Sequence, residues 1–467
     1  MQKNEQENEL TEEELKKQKE AKSKRNKEIE TQKDMISLAS FLYLGTETFY
    51  GREKLRDLKL NQHKALVATA YPANELIWAS GCIPVYPIRM QKFRTSAVLS
   101  ALSLGSTLIV KDLLSKTLLL AKSISGTQIN NIINDISQSI NEKYNEMSEI
   151  GETYIPSDAC FALKFLTGAY MQKSKNLSAQ FNFPIRCSSW NSTMEIEELS
   201  TQVPVISISP LPGHLPNARN VLTEEINQAI AKLEKISGES CSNSRLQRTC
   251  EMTQELKKIY NYLVFNVQSG DRYPCNAKTY AQMIVLFEIA FQDYLADLPH
   301  FLKIMKDLTA EIKNKMVSEF VDVSNRPKIL FTTRYGGYDS YIEDLVQEHG
   351  GRIVYADWYQ IGFMDPIKTT GNMIENYADY IQAYFDLNAM GNEEYTKRQI
   401  ETAKKLDVQG VIYNQAFGCH SYTINYPLLK QKLLGELGIP STLLSFNKIG
   451  EGREQMKTRV TALLEMI

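Results

Sequence analysis

The chain reads as an α/β protein: two Rossmann-like parallel-sheet domains, a helical connector between them and an N-terminal helical arm. Three observations predict this. Short apolar runs alternate with helical stretches from Lys64 onward, and the same alternation returns after Lys328. Strands separated by helical segments imply parallel sheets with crossover helices. Between the two, residues 222–324 carry apolar side chains at helical spacing. The length of 467 residues allows two or three domains and a large core. The expected division is 1–60 for the arm, 61–215 for the first α/β domain, 216–325 for the connector and 326–467 for the second α/β domain.

In the arm, Thr11-Glu12-Glu13-Glu14 has the form of a capping box, and acids then give way to Lys16, Lys17, Lys19 and Lys22, which suits a helix dipole. Lys64–Ala70 (KALVATA) is the first strand signal, and Tyr71-Pro72 turns the chain. Asn74–Ser80 reads as a helix halted by Gly81, Cys82–Ile88 as a second strand and Val203–Ser209 as a third. In the connector, Glu224–Ser237, Gln254–Val264, Ala277–Leu298 and Phe301–Ser324 read as helices, with Pro299 separating the last two. Lys328–Thr333 (KILFTT), Arg352–Asp357, Val408–Asn414 and Ser441–Phe446 read as strands of the second sheet. Helices are expected at Tyr338–His349, Leu428–Leu437 and Glu454–Met466, the first two stopped by Gly350-Gly351 and Gly438.

Charge and cysteine usage exclude several classes. With 53 Lys+Arg against 55 Asp+Glu the net charge is −2, so nucleic acid is not expected as the main partner. Seven cysteines, odd in number and scattered, do not make a secreted disulfide scaffold. No run approaches the ~18 apolar residues of a membrane span, and the start MQKNEQENEL lacks the apolar core of a signal peptide. A cytoplasmic protein with reduced thiols is expected. There is no Walker A sequence, no G-x-G-x-x-G after a strand, no H-E-x-x-H and no G-x-S-x-G.

In open parallel sheets ligands sit beyond the carboxyl ends of strands, which draws attention to the residues just after KILFTT and VIYNQ. Beyond the first lies the Gly336-Gly337 turn, whose N–H groups can face an anion. Beyond the second lies Cys419, beside His420. Cys160 and Cys187 also stand in loop-like contexts. None of the seven cysteines forms a C-x-x-C pair, which excludes zinc ribbons and ferredoxin-type runs. A buried, inert thiol is the ordinary fate of such a residue.

Several segments together resemble the 2-hydroxyacyl-CoA dehydratase and benzoyl-CoA reductase family. Tyr71–Val85 (YPANELIWASGCIPV) resembles its "P-x-E-L-I-x-A-A-G-x-x-P-V" opening. Asp158-Ala159-Cys160 with Lys164 resembles "D-x-C-x-x-x-K". Cys187 falls where the family has a second cysteine, the stretch from Gly410 to Pro440 resembles "G-V-I-x…C…E-x-P-x-L-K…G-I-P", and Glu454–Met466 resembles the terminal helix. The chain departs from the pattern at Tyr426, where many relatives have Glu, and at Ser445 and Asn447, where relatives often have acids.

The resemblance implies a [4Fe-4S] cluster on Cys160, Cys187 and Cys419, with one iron free of cysteine and open to a substrate oxygen. Soft thiolates suit such clusters. Cys82, Cys241, Cys250 and Cys275 match no ligand position and read as structural. The implied activity is removal of water from an (R)-2-hydroxyacyl-CoA through a ketyl radical, after one-electron activation. The implied partners are a homologous second subunit, forming a heterodimer, an ATP-dependent activator and the acyl-CoA substrate. His420 is a candidate hydrogen-bond donor or general acid and Glu75 a candidate substrate contact; a loop histidine and an N-terminal helix acid are the plainer readings. Trp190 is a candidate to exclude water. A ring-reducing relative and a non-catalytic electron-relay subunit remain alternatives.

Overall fold

The structure is a computed structural model, and it describes residues 39–69, 72–92, 126–183, 187–333, 339–355, 366–387 and 392–467. The expected helix start at Thr11–Glu14 and the Gly336-Gly337 turn lie outside these residues.

Helix α1 (Ala39–Leu60) leads into β1 (Leu66–Ala68), α2 (Asn74–Ala79) and β2 (Ile83–Val85). Then come α3 (Gly126–Gly151), α4 (Phe161–Lys173), β3 (Ala179–Asn182), α5 (Ser188–Thr201) and β4 (Val205–Ser207). These four strands form one parallel sheet in the order β2-β1-β3-β4. Helices α6 (Ala218–Ser237), α7 (Asn243–Tyr262), α8 (Ala277–Phe291) and α9 (Leu298–Ser318) come next, with a small antiparallel pair, β5 (Arg272–Tyr273) and β6 (Val321–Asp322). The second parallel sheet has the order β10-β9-β7-β8. Its strands are β7 (Lys328–Thr333), β8 (Arg352–Tyr355), β9 (Gly410–Ala416) and β10 (Ser441–Phe446). Its helices are α10 (Ser340–Glu348), α11 (Met373–Phe385), α12 (Asn392–Leu406), α13 (His420–Thr423), α14 (Tyr426–Leu437) and α15 (Arg453–Leu464). The fold is thus α/β with two parallel sheets, as expected.

All seven residues of β9 are buried, as befits a parallel strand covered on both faces. The helical section divides its loyalty. Leu222, Ile226, Ile230 and Leu233 of α6, spaced at helical intervals, pack with Val67, Phe181 and Ile206 of the first sheet. Helix α11, which lies between β8 and β9 in sequence, joins that same core through Tyr377 and Ile381. Helices α8 and α9 instead contribute Phe287, Phe301, Met305 and Leu308 to a core shared with Ile329, Phe331 and Val411 of the second sheet. Helices α3 and α4 reach this second core through Met147, Phe161 and Phe165. They cross with backbones in contact: a Cβ on Gly168 would run into the Met147 carbonyl oxygen.

Two local features were not expected. The central strand β3 has the sequence AQFN, too short and too polar to announce itself. Its Gln180 and Asn182 are nevertheless buried, because α5 supplies partners: the Gln180 amide donates to Glu197 at 2.7 Å and Trp190 Nε1 donates to Asn182 at 2.7 Å. The helix expected over Ala277–Leu298 ends at Phe291, and Tyr294, Leu295 and Ala296 take left-handed φ of 53°, 54° and 57°. Each such residue costs about 1–2 kcal/mol. The Asp293 carboxylate offsets this by accepting from Leu295 N and Tyr86 N, both at 3.1 Å, and by pairing with Arg89. Pro299 then sits in the first turn of α9, where its missing N–H is harmless. Among the described residues no helix is long and apolar enough to cross a membrane.

The Arg89–Asp293 pair is 1% and 0% exposed. Burial pushes the Asp293 carboxyl up, against the lowering effects of Arg89 and the two backbone donors. Breaking one side of such a pair strands the other charge. Arg89→Met is expected to cost about 3–5 kcal/mol in denaturant unfolding, and adding Asp293→Asn, which keeps an acceptor for Leu295 N, should recover part of that loss.

Candidate functional site

Cys160 is the N-cap of α4 and Cys187 the N-cap of α5. Cys419 lies after β9 and precedes α13. In sequence, 27 positions separate the first two and 232 the last two. In space the three thiols converge: Cys160 and Cys419 are hydrogen-bonded to each other, and Cys187 is near enough to act electrostatically with both. Among the described residues, no three His, Cys, Asp or Glu side chains are grouped as a site for a single metal ion.

The convergence depends on backbone contact between two loops. Gly418 has φ +81°, and a Cβ there would stand 2.7 Å from the Asp158 carbonyl oxygen and 3.4 Å from Cys160 N. Only glycine meets both demands at low cost. Around this contact the first loop is tied to the end of β10. Lys164, 1% exposed and one turn beyond Cys160, donates to Glu152 Oε1 at 2.8 Å, Ser157 O at 3.2 Å and Asn447 Oδ1 at 3.3 Å. Asn145 on α3 exchanges two hydrogen bonds with the backbone of Ile449, at 2.9 and 3.0 Å. The rings of Phe161 and Phe446 meet edge to face at 5.5 Å.

The contact with Cys419 raises the Cys160 thiol well above the ordinary range, with burial adding to the effect. Burial also raises Cys187, opposed by the backbone N–H groups of Trp190 and Ser189. The Leu163 N–H acts on Cys160 in the same favourable sense. These are first-turn donors of α5 and α4, aimed at sulfur where a negative charge gains most from a helix N-terminus. As thiolates the three would repel one another, an effect that the first-turn N–H groups partly offset.

The other expected residues fall elsewhere. Glu75 has no exposed surface. It accepts from Tyr377 at 3.0 Å and is hydrogen-bonded to Tyr294 in the left-handed turn, so the structure places it inside a tyrosine-lined polar cluster rather than at an open face. His420 is the first residue of α13; its side chain lies outside what the structure describes. Cys82, Cys250 and Cys275 are buried and Cys241 half-buried. Burial pushes the Cys82 thiol up to about 12.

One group escaped notice in the sequence. Glu197 on α5 lines a small cavity with Thr167, Tyr170, Gln180, Trp190 and Met194. Its only sequence signal is an acid on the helix face that also carries Met194. Burial pushes its carboxyl up to about 7, against the lowering effects of the Gln180 amide and the Thr167 hydroxyl.

Gly418→Ala should lower stability by about 1–3 kcal/mol in denaturant unfolding, whereas Gly435→Ala, in helix α14 with nothing within 4 Å of its Cβ position, should be neutral or stabilising. Glu197, raised from 4.5 to about 7, holds its proton in the folded chain after the unfolded chain has released it. Its stabilising contribution is complete below pH 4.5 and is lost as pH rises through about 7, a change of about 3 kcal/mol. Unfolding curves across that window should show a decline that Glu197→Gln removes.

One curated relative, the (R)-phenyllactyl-CoA dehydratase beta subunit of Clostridium sporogenes, is 21% identical over 332 residues, covering 68% of this chain and 82% of the relative. The family model for the 2-hydroxyglutaryl-CoA dehydratase D-component matches residues 69–467, a range that begins just after β1 and includes the other strands of the first sheet, the whole second sheet and Cys160, Cys187 and Cys419. A match over that much of the chain places it in the 2-hydroxyglutaryl-CoA dehydratase D-component family, as a component of an acyl-CoA dehydratase.

Proposed function

We propose that this chain is the cluster-bearing subunit of a radical (R)-2-hydroxyacyl-CoA dehydratase, with a [4Fe-4S] cluster on Cys160, Cys187 and Cys419. The observation that carries the proposal is the meeting of these three thiols, of which the first and last stand 259 positions apart in the sequence. The donor set suits the group. The groups acting most strongly on Cys160 and Cys187 are the other thiols and backbone N–H donors, with no carboxylate among them. Thiolates with N–H donors are what iron–sulfur clusters take. When bound, the cluster would supply a low-potential electron and, at the iron without a cysteine, a site for substrate oxygen.

The chain's own residues do the rest. Gly418 lets the two loops close on each other, and Lys164 fixes the loop that carries Cys160 to the end of β10. Trp190, anchored by Asn182, stands one turn beyond Cys187 and limits water there. In the reaction the substrate loses its 2-hydroxyl and a 3-hydrogen, with no net change in electron count. His420, adjoining a ligand, is assigned the hydrogen bond to the substrate oxygen. The buried Glu75 acts as an acceptor that holds α2 to the tyrosine cluster.

The chain contains no Walker A sequence, which supports a separate ATP-dependent activator as the electron source. The relative's designation as a beta subunit supports a homologous second subunit.

Anaerobic purification followed by iron and sulfide assay tests the reading. The wild-type chain should carry about four irons and brown absorbance, each of Cys160→Ser, Cys187→Ser and Cys419→Ser should lose it, and Cys241→Ser should keep it. Retention of the full cluster in all three variants would overturn the ligand set. His420→Ala should keep the cluster and lower turnover by about 10²–10⁴-fold, measured as enoyl-CoA formed from 2-hydroxyacyl-CoA thioesters with the partner subunit and activator present.

A further inference from the structure

At the far end of α4 from Cys160, about 20 Å along the helix, a cavity of about 220 Å³ opens between α1, α4 and the start of β1. Arg52, Arg56 and Lys59 of α1 and Lys173 of α4 face it, with the Asn176 amide. Its wall is apolar: Leu55, Leu66 and Met90 are buried, and Leu60 stands 56% exposed at the rim.

The charge balance is unusual for this molecule. Several of its shielded cations elsewhere are matched by carboxylates: Arg89 with Asp293, Lys164 with Glu152, Lys278 with Asp344 and Arg352 with Asp271. Here, among the described residues, no carboxylate pairs with Arg52, Arg56, Lys59 or Lys173. Lys59 reaches only the Lys175 carbonyl, at 3.1 Å. Asp57, the nearby acid on α1, is engaged by Asn61 and Gln62. Burial lowers the Lys59 ammonium, and burial together with the charges of Arg52 and Lys143 lowers that of Lys173. Four cations held together, the two ammoniums partly desolvated and none paired with a carboxylate among the described residues, favour an anion that enters.

We propose that this cavity binds the phosphate groups of a nucleotide, with the adjoining ring or chain resting on Leu60 and the apolar wall. Two forked guanidiniums and two ammoniums match several phosphate oxygens at once, and the exposed Leu60 gives an amphiphilic ligand its second contact. The shared chemistry is a nucleoside diphosphate. Its source is either a free nucleotide or the adenosine-diphosphate end of a coenzyme A ester. The site lies at the opposite end of α4 from the thiols and does not depend on them.

Calorimetric titration of the full-length chain with ADP, ATP, coenzyme A and pyrophosphate tests this without cluster or turnover, so its failure is separate from that of the dehydratase reading. Binding of ADP or coenzyme A at or below about 1 mM is expected. Arg56→Glu with Lys173→Glu should weaken it at least about tenfold, while Lys303→Glu with Lys306→Glu, the same charge change on α9, should not. If the reversal disturbs the thermal melt, Arg56→Gln with Lys173→Gln serves instead. Leu60→Ser should weaken ADP and leave pyrophosphate unchanged. Equal affinity for ADP and coenzyme A marks a free nucleotide as sufficient, and binding of coenzyme A alone marks the ester. No binding by any probe, or equal loss in the α9 control, overturns the site; indifference of ADP to Leu60→Ser overturns its assignment to a nucleotide.

Discussion

The approach of Gly418 to the Asp158–Cys160 loop is the contact on which the site is built. Two parallel sheets, each carrying a thiol beyond the end of a strand, gain nothing chemically unless those ends face each other. Here they face each other at backbone distance, with 2.7 Å available between the Asp158 oxygen and the position a Cβ would take. Helix α4 begins there and carries Cys160 at its cap, and β9 ends there and delivers Cys419. Cys187 joins from the first sheet, five positions beyond the end of β3 and at the cap of α5.

Around that contact the molecule uses buried polar groups as fasteners. Burial of a charge is costly unless it is paired, so such groups hold their surroundings to one arrangement. Lys164 shows this on the second-sheet side, where Asn447 accepts from it beyond the end of β10 and Glu152 supplies the compensating carboxylate. Arg89 and Asp293 show it on the other side, where they hold three left-handed residues against α2. Tyr294 in that turn reaches Glu75, so strain, ion pair and acid belong to one structural unit. The cations around the α1–α4 cavity, which pair with no carboxylate among the described residues, stand apart from this habit.

Much of the fold was legible along the chain. KALVATA, KILFTT and VIYNQ are apolar runs too short for helices, and each is a parallel strand, though β1 is trimmed to Leu66–Ala68. The helical spacing of Ile304, Leu308 and Ile312 found the body of α9, although the helix expected to run to Ser324 ends at Ser318 and Val321–Asp322 pair as β6. The strand β3 was illegible, because Gln180 and Asn182 read as surface residues until α5 supplies their partners. The early end of α8 was illegible for a similar reason: Asp293 stops the helix with the help of Tyr86 and Arg89, more than 200 positions away.

For the site, sequence alone determined which residue types were available: isolated thiols after strands, a histidine beside one of them, and no nucleotide-hydrolysis motif. Local patterning sufficed, because strand and helix signals depend on near neighbours and strand ends in parallel sheets are where side chains are left free. Which thiols meet was decided only by tertiary structure, since a meeting of Cys160 with Cys419 across 259 positions is set by how two sheets pack, and no period in the chain encodes that. The same holds for Glu75 and Glu197. Each is an ordinary acid on a short stretch of helix, and only packing decided that one would be enclosed by tyrosines and the other desolvated until it keeps its proton near neutrality.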